Sequence, residues 1–201
     1  FIQSEDYQAA LRRLDVALRD LLGLGCDSVA ALADGEILAR LTLGEPTPFV
    51  QEKCLVLAAL LKQLGRVCAA QQRTDESREC FLKALHLIVG TELQNPSLAR
   101  PDYAPTVEEL VEQLRPQTLP PRTWGALVVL YEQRGQFGKA EDALFSLLEA
   151  SAGNVNATEM GIAFYRRLQG LSDEVLAAGG LPRPEVVAGL EEILRAHPPK
   201  T

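Results

Sequence analysis

The 201-residue chain carries 27 acidic and 20 basic side chains, a formal net charge of −7, and is 47% hydrophobic but only 5% aromatic. The acidic balance argues against a general nucleic-acid binder, which needs a basic face to neutralise phosphates. The longest unbroken apolar run, Cys54 to Leu61, is too short for a bilayer, which takes about 20 residues.

Leu, Ala and Val dominate the apolar residues, a composition that favours helix over strand. The first helix is expected from about Glu5 to Leu22, with Ser4 as cap and Glu5 and Asp6 answering the helix dipole. Tyr7, Leu11, Leu14, Leu18 and Leu21 fall on one stripe at spacings of 4, 3, 4 and 3. The stripe packs on the rest of the domain or, alternatively, forms a homodimer seam. Gly23 and Gly25 end this helix. Residues 27 to 43 carry short helical patterns broken at Asp34-Gly35, and 44–48 read as a loop.

A strongly apolar helix is expected from about Val50 to Gln72, and a second from Glu76 to Val89 after a polar turn. Gly90 to Pro121 reads as a connector with prolines at 96, 101, 105, 116, 120 and 121. It holds one short helix, where Thr106 and Glu109 form a capping box. A further pair covers 122 to 134 and Phe137 to Ala150, turning at Gly135. Asn156 with Glu159 resembles a cap for a helix ending near Gly170. Ser172 opens a short helix that stops at Gly179-Gly180, and Pro184 opens the last one. No segment alternates with period two.

Two of these pairs share a pattern. One reads Trp124-x-x-Leu127-Val128-x-x-Tyr131, Gly135, then Ala140-x-x-x-Leu144-x-x-Leu147. The other reads Leu61-x-x-Leu64-Gly65-x-x-Cys68, then Ser77-x-x-x-Phe81-x-x-Ala84. This pattern resembles the tetratricopeptide repeat, in which small residues let two antiparallel helices approach and large ones fill the groove. A third register, 34 residues after Tyr131, lands on Tyr165 beside Phe164. The resemblance implies an all-α fold of tetratricopeptide-like antiparallel helix pairs in a short, irregular α-solenoid or helical array. One helical domain over 1–201 is expected, in five parts. These are N-terminal helices (1–49), a first hairpin (50–89), the Pro-rich connector (90–121), a second hairpin (122–150) and degenerate or capping helices (151–201). The whole chain is also similar to an uncharacterised bacterial family of small helical proteins. That likeness lies in Gln3-Ser4-Glu5-Asp6-Tyr7, in Gly65 to Leu87, and in Leu171-Ser172-Asp173-Glu174 with Gly179-Gly180-Leu181-Pro182. It brings no activity with it.

Tetratricopeptide-like proteins generally bind peptides or proteins on the face made by the first helix of each pair. The matching positions here are Lys62, Gln63, Arg66 and Ala69 in one unit and Gly125, Val129, Glu132 and Gln133 in the other. Lys62 and Arg66 stand one turn apart, and such a basic pair can hold a carboxylate or be a solvated helix face. Carboxylate-clamp members of that family have Lys at the Lys62 position but Asn where Arg66 stands.

The acidic groups Glu108, Glu109 and Glu112, and Asp75, Glu76 and Glu79, sit at helix starts and are read as answering dipoles rather than as acid–base pairs. Cys26, Cys54, Cys68 and Cys80 form no Cys-x-x-Cys pair, and His86 and His197 are far apart, so buried reduced thiols and no metal are expected. Cys68 and Cys80 are placed inside one hairpin, with Arg66 and Lys83 pointing elsewhere, and His86 at the edge of a helix face. No phosphate loop, Gly-x-Ser-x-Gly elbow or His-Glu-x-x-His motif occurs. The leading expectation is a protein- or peptide-binding module without cofactor, nucleic acid or membrane. The alternatives are a structural, self-associating protein and, last, an enzyme with an unrecognised site. The opening has neither a basic n-region nor an apolar core, so no secretory signal is expected and the cytoplasm is the expected compartment. Because the first residue is Phe, the native start is expected slightly upstream.

Overall fold

The computed structural model describes residues 4–44, 46–115 and 118–196, without the side chains of 4–6, 47, 48 and 196. The cap assigned to Ser4, Glu5 and Asp6 lies outside the described side chains, and Pro116 and His197 lie outside the described residues. Among the described residues the chain is all-helical, with eleven helices and no strand. No helix is long and apolar enough to cross a membrane. The chain divides into two compact units, Phe1–Gln117 and Thr118–Thr201.

The first unit contains α1 (Ser4–Leu22), α2 (Cys26–Ala31), α3 (Asp34–Thr42), α4 (Thr47–Ala70), α5 (Thr74–Gln94) and α6 (Val107–Leu114). The α4 and α5 helices form its centre. Ser77 Oγ donates to the Gly65 carbonyl at 2.8 Å, the Cys54 thiol bonds with Thr91, and Asn95 Nδ2 donates to Gln51 Oε1 at 3.2 Å. Rising positions on α5 thus meet falling positions on α4, and the two run antiparallel. Gly65 makes the approach close, because a Cβ there would stand 3.1 Å from the Phe81 ring. Every residue from Cys80 to Leu85 is buried, so α5 is covered on all sides.

Several boundaries differ from the sequence reading. Helix α5 runs through Gly90 to Gln94, because Val89 and Thr91 remain buried against the unit and offset the low helix propensity of glycine. Helix α4 begins at Thr47, with Pro48 in its first turn, where a missing N–H costs nothing. The break in the N-terminal segment falls at Leu32-Ala33 rather than at Asp34-Gly35, which open α3. There the Glu36 carboxylate accepts the Ala33 N–H at 3.0 Å. The capping box at Thr106 forms as read, with the Glu109 N–H donating to Thr106 Oγ1 at 2.9 Å and the Thr106 N–H to Glu109 Oε2 at 3.1 Å.

The second unit contains α7 (Pro121–Gln133), α8 (Phe137–Ala150), α9 (Val155–Gln169), α10 (Asp173–Ala178) and α11 (Arg183–Ala196). Gly135, at φ 68°, turns α7 into α8. Lys139 lies over the Tyr131 ring at 5.5 Å, and a Cβ on Gly125 would reach Leu147, so this pair is also antiparallel. Helix α9 packs mainly on α11. Its cap is Asn154, whose side chain accepts the Asn156 N–H, and not Asn156 with Glu159. Ser172 caps α10 as expected. Ala140, Leu144, Phe164 and Tyr165 are fully buried.

Candidate functional site

The basic pair lies on one wall of a cleft in the first unit. Lys62 and Arg66 project from α4, Glu109, Leu110, Glu112 and Gln113 come from α6, and Phe81 of α5 closes the floor. The cleft encloses about 320 Å³. Helix α6 is fixed beside it because Val107, Leu110 and Leu114 are buried. An amphipathic helix held by three such side chains is part of the unit's core and forms a wall of the cleft.

The two cations differ in state. Lys62 Nζ donates to Glu109 Oε2 at 3.0 Å, with the Lys62 side chain 22% exposed and that of Glu109 52%. That same oxygen also accepts the Thr106 N–H. The Thr106 N–H, and then the Lys62 ammonium, hold the Glu109 carboxyl below the usual carboxylate range. Arg66 is exposed and has no hydrogen-bond or ion-pair partner among the described residues. Gln63 is exposed beside them. Glu112 is engaged by Arg115 at 3.0 Å on the surface.

The other sequence-selected positions belong to the second unit. Arg167 of α9 holds both oxygens of Glu132, at 2.6 and 2.7 Å, and Gly125 faces Met160 of α9 and Leu147 of α8. Gln133 is exposed, as is Val129 at 37%. Glu132 is therefore part of a helix–helix contact within its unit.

Three polar constellations escaped the sequence reading. Lys83, expected to point elsewhere than Cys68 and Cys80, is buried and donates to the Val29 and Ala30 carbonyls, answering the C-terminal end of α2. His86, expected at a helix edge, has Nδ1 2.6 Å from Asp34 Oδ2. Lys83 and His86 stand one turn apart within an apolar stretch, which is the one local hint of their role. In the second unit, Tyr165 Oη donates to Glu141 Oε1 at 2.6 Å. Burial pushes both groups up, and Glu141 raises Tyr165 further.

All four cysteines are buried thiols, each raised by burial, Cys80 to about 12. Thiols so raised are poor nucleophiles at neutral pH. Cys26 and Cys68 line a second cavity of the first unit, of about 420 Å³, between α1, α2, α4 and the start of α5. Of its three carboxylates, Asp15, Asp27 and Glu76, the first and last are bonded to Arg19 and Arg73. Among the described residues no group of three or more His, Cys, Asp or Glu could hold a metal ion.

A family model described as "Family of unknown function (DUF6483)" matches residues 50–197, about three quarters of the chain. The chain belongs to this family. The matched residues include the whole Lys62–Arg66 cleft and the Tyr165–Glu141 pair, whereas the α1 and α2 walls of the second cavity lie before them. No curated protein and no solved structure matches the chain.

Proposed function

We propose that the chain is a helical-repeat module that binds an acidic protein or peptide segment in the cleft between α4 and α6, and that it works in the cytoplasm as a binding protein rather than an enzyme. The observation that carries this reading is Arg66, a solvent-facing guanidinium without a partner among the described residues, one turn from Lys62 in a cleft floored by Phe81 and Leu110. A guanidinium grips a carboxylate through two parallel hydrogen bonds, and the neighbouring ammonium adds a point charge.

Two features support a tetratricopeptide-like arrangement. The α4–α5 pair closes on Gly65, the small position of the repeat pattern. In the second unit, Gly125 faces Met160 and Glu132 pairs with Arg167, each at a separation of 35 residues. A constant offset means that α7 and α9 run in parallel with α8 between them in sequence, as the first helices of successive repeats do.

The test is capture of partners from a lysate of the native host with wild type and with Lys62→Ala/Arg66→Ala, after both are shown to fold. Loss of the same partners in the variant, and weakening with salt, supports the reading, since exposed charges are screened beyond about 8 Å at physiological ionic strength. Equal recovery ends it.

A second reading, self-association, draws on Leu38, Leu43 and Phe49, which are 42%, 84% and 57% exposed around the α3–α4 junction. Of the heptad-spaced stripe on α1, Leu14 and Leu18 are buried within the unit, while Tyr7, Leu11 and Leu21 are half-buried. Solution mass at micromolar concentration, with Leu43→Asp as the variant, tests this. A monomer for the wild type ends it.

A further inference from the structure

We propose that Glu109 is an internal competitor for the ligand's carboxylate, and that it sets how tightly an acidic segment binds the cleft. The inference rests on the acidic-ligand reading above and deepens it. Its basis is the unequal state of two cations one turn apart on α4. Lys62 already faces a carboxylate of its own chain at 3.0 Å, while Arg66 faces none among the described residues.

Glu109 is held at the cleft by two independent anchors. Its backbone belongs to α6, which cannot leave because Val107, Leu110 and Leu114 are buried. Its carboxylate is returned to the same place by the Thr106 N–H, which shares Oε2 with Lys62. Of the ion pair, Glu109 is the outer partner, at 52% exposure against 22% for Lys62. An entering carboxylate therefore meets Arg66 directly and finds the charge of Lys62 already matched by Glu109.

Exchanging one carboxylate for another at the same ammonium gains little. A singly charged ligand is consequently read by Arg66 alone. A doubly acidic segment gains from Lys62 only the difference between its own contact and that of Glu109. Removing the charge of Glu109 makes the second cation available, and a glutamine at this position keeps the capping box through its amide oxygen.

The experiment measures fluorescence anisotropy of a labelled tetraglutamate peptide at low ionic strength. Glu109→Gln is expected to bind it about two- to five-fold more tightly than wild type, the range set by exposed ion pairs. The gain is expected to vanish in Lys62→Ala/Glu109→Gln, while Arg66→Ala weakens binding in either background. Glu52→Gln makes the same charge change ten residues, or about 15 Å, along α4 and is expected to give no such gain. Equal affinity of wild type and Glu109→Gln, with Arg66→Ala still weakening both, overturns the competition and leaves the cleft reading standing. An equal gain from Glu52→Gln overturns it in favour of overall charge. Absence of binding by both wild type and Glu109→Gln overturns the cleft reading and the competition together.

Discussion

Replacing Gly189 by alanine forces one methyl group into one of the most closely packed contacts of the second unit. A Cβ at this position of α11 would stand 2.3 Å from Tyr165 Oη, 2.4 Å from Cζ and 2.6 Å from Cε1, roughly 1 Å inside ordinary contact. Tyr165 has little room to yield. It is fully buried, meets Phe164 edge-on at 5.2 Å, and donates to Glu141 at 2.6 Å. Either α11 shifts away from α9 or the ring retreats and stretches its hydrogen bond. Overpacking of this kind costs about 1–3 kcal/mol, and a stretched bond to a carboxylate adds to it. The helix-propensity gain of alanine over glycine, about 1 kcal/mol, works in the opposite direction. The expected net loss is about 1–3 kcal/mol. Urea unfolding followed by the fluorescence of Trp124, the single tryptophan and a residue of α7, reads this unit directly. Gly125→Ala, in the same unit, is the control, since a Cβ there stands in ordinary contact at 3.9 Å from Met160 and 4.0 Å from Leu147, and α7 should gain up to about 1 kcal/mol. If both substitutions shift stability in the same favourable direction, the contact between α11 and Tyr165 is not as described.

Ala140 is fully buried at the small position of α8, so Ala140→Leu should cost about 1–3 kcal/mol, read by the same urea titration; an unchanged midpoint shows that the repeat register is wrong. Glu141 has its carboxyl raised by burial, so the folded state holds that proton more tightly than the unfolded one. Its contribution is complete below the ordinary glutamate value and is lost as pH rises through the raised value. Stability of the second unit should therefore fall over that window, and Glu141→Gln, which keeps an acceptor for Tyr165, should flatten the fall; identical pH profiles of variant and wild type refute this. The four thiols are buried and raised, so a thiol reagent at pH 8 should label the folded chain far more slowly than the urea-unfolded chain, and melting should be the same with and without reductant or chelator. Rapid labelling of the folded chain would place at least one thiol at the surface.

What could be read from the sequence was what depends on near neighbours. The capping box of α6 needs only Thr106 and Glu109, three residues apart, and it forms as read. The polar turn after α4 and the turn at Gly135 are equally local, and both divide the helices within about two residues of where expected. The extent of α5 was missed because burial of Val89 and Thr91 outweighs the glycine between them. The break between α2 and α3 was misplaced for a similar reason, since the carbonyls that end α2 are answered by Lys83, 53 and 54 residues away. A lysine in an apolar stretch signals that it has something to reach, but it does not name the carbonyls it reaches.

The candidate site divides along the same line. Lys62 and Arg66 share a wall of one cleft because positions four apart on a helix share a face, a consequence of helical period alone. Their different electrostatic states come from a helix more than 40 residues later, whose position follows from the burial of Val107, Leu110 and Leu114 rather than from any charge. The same holds for Glu132, which sits at a position that would face a groove and is bonded to Arg167 on the next helix but one. In a stack of helical hairpins the positions that could face a ligand are also the ones that can face a neighbouring helix. Repeat pattern identifies these positions, and tertiary packing then decides which of their charges remain available. By that criterion Arg66, and not Lys62 or Glu132, is the charge that remains available among the described residues.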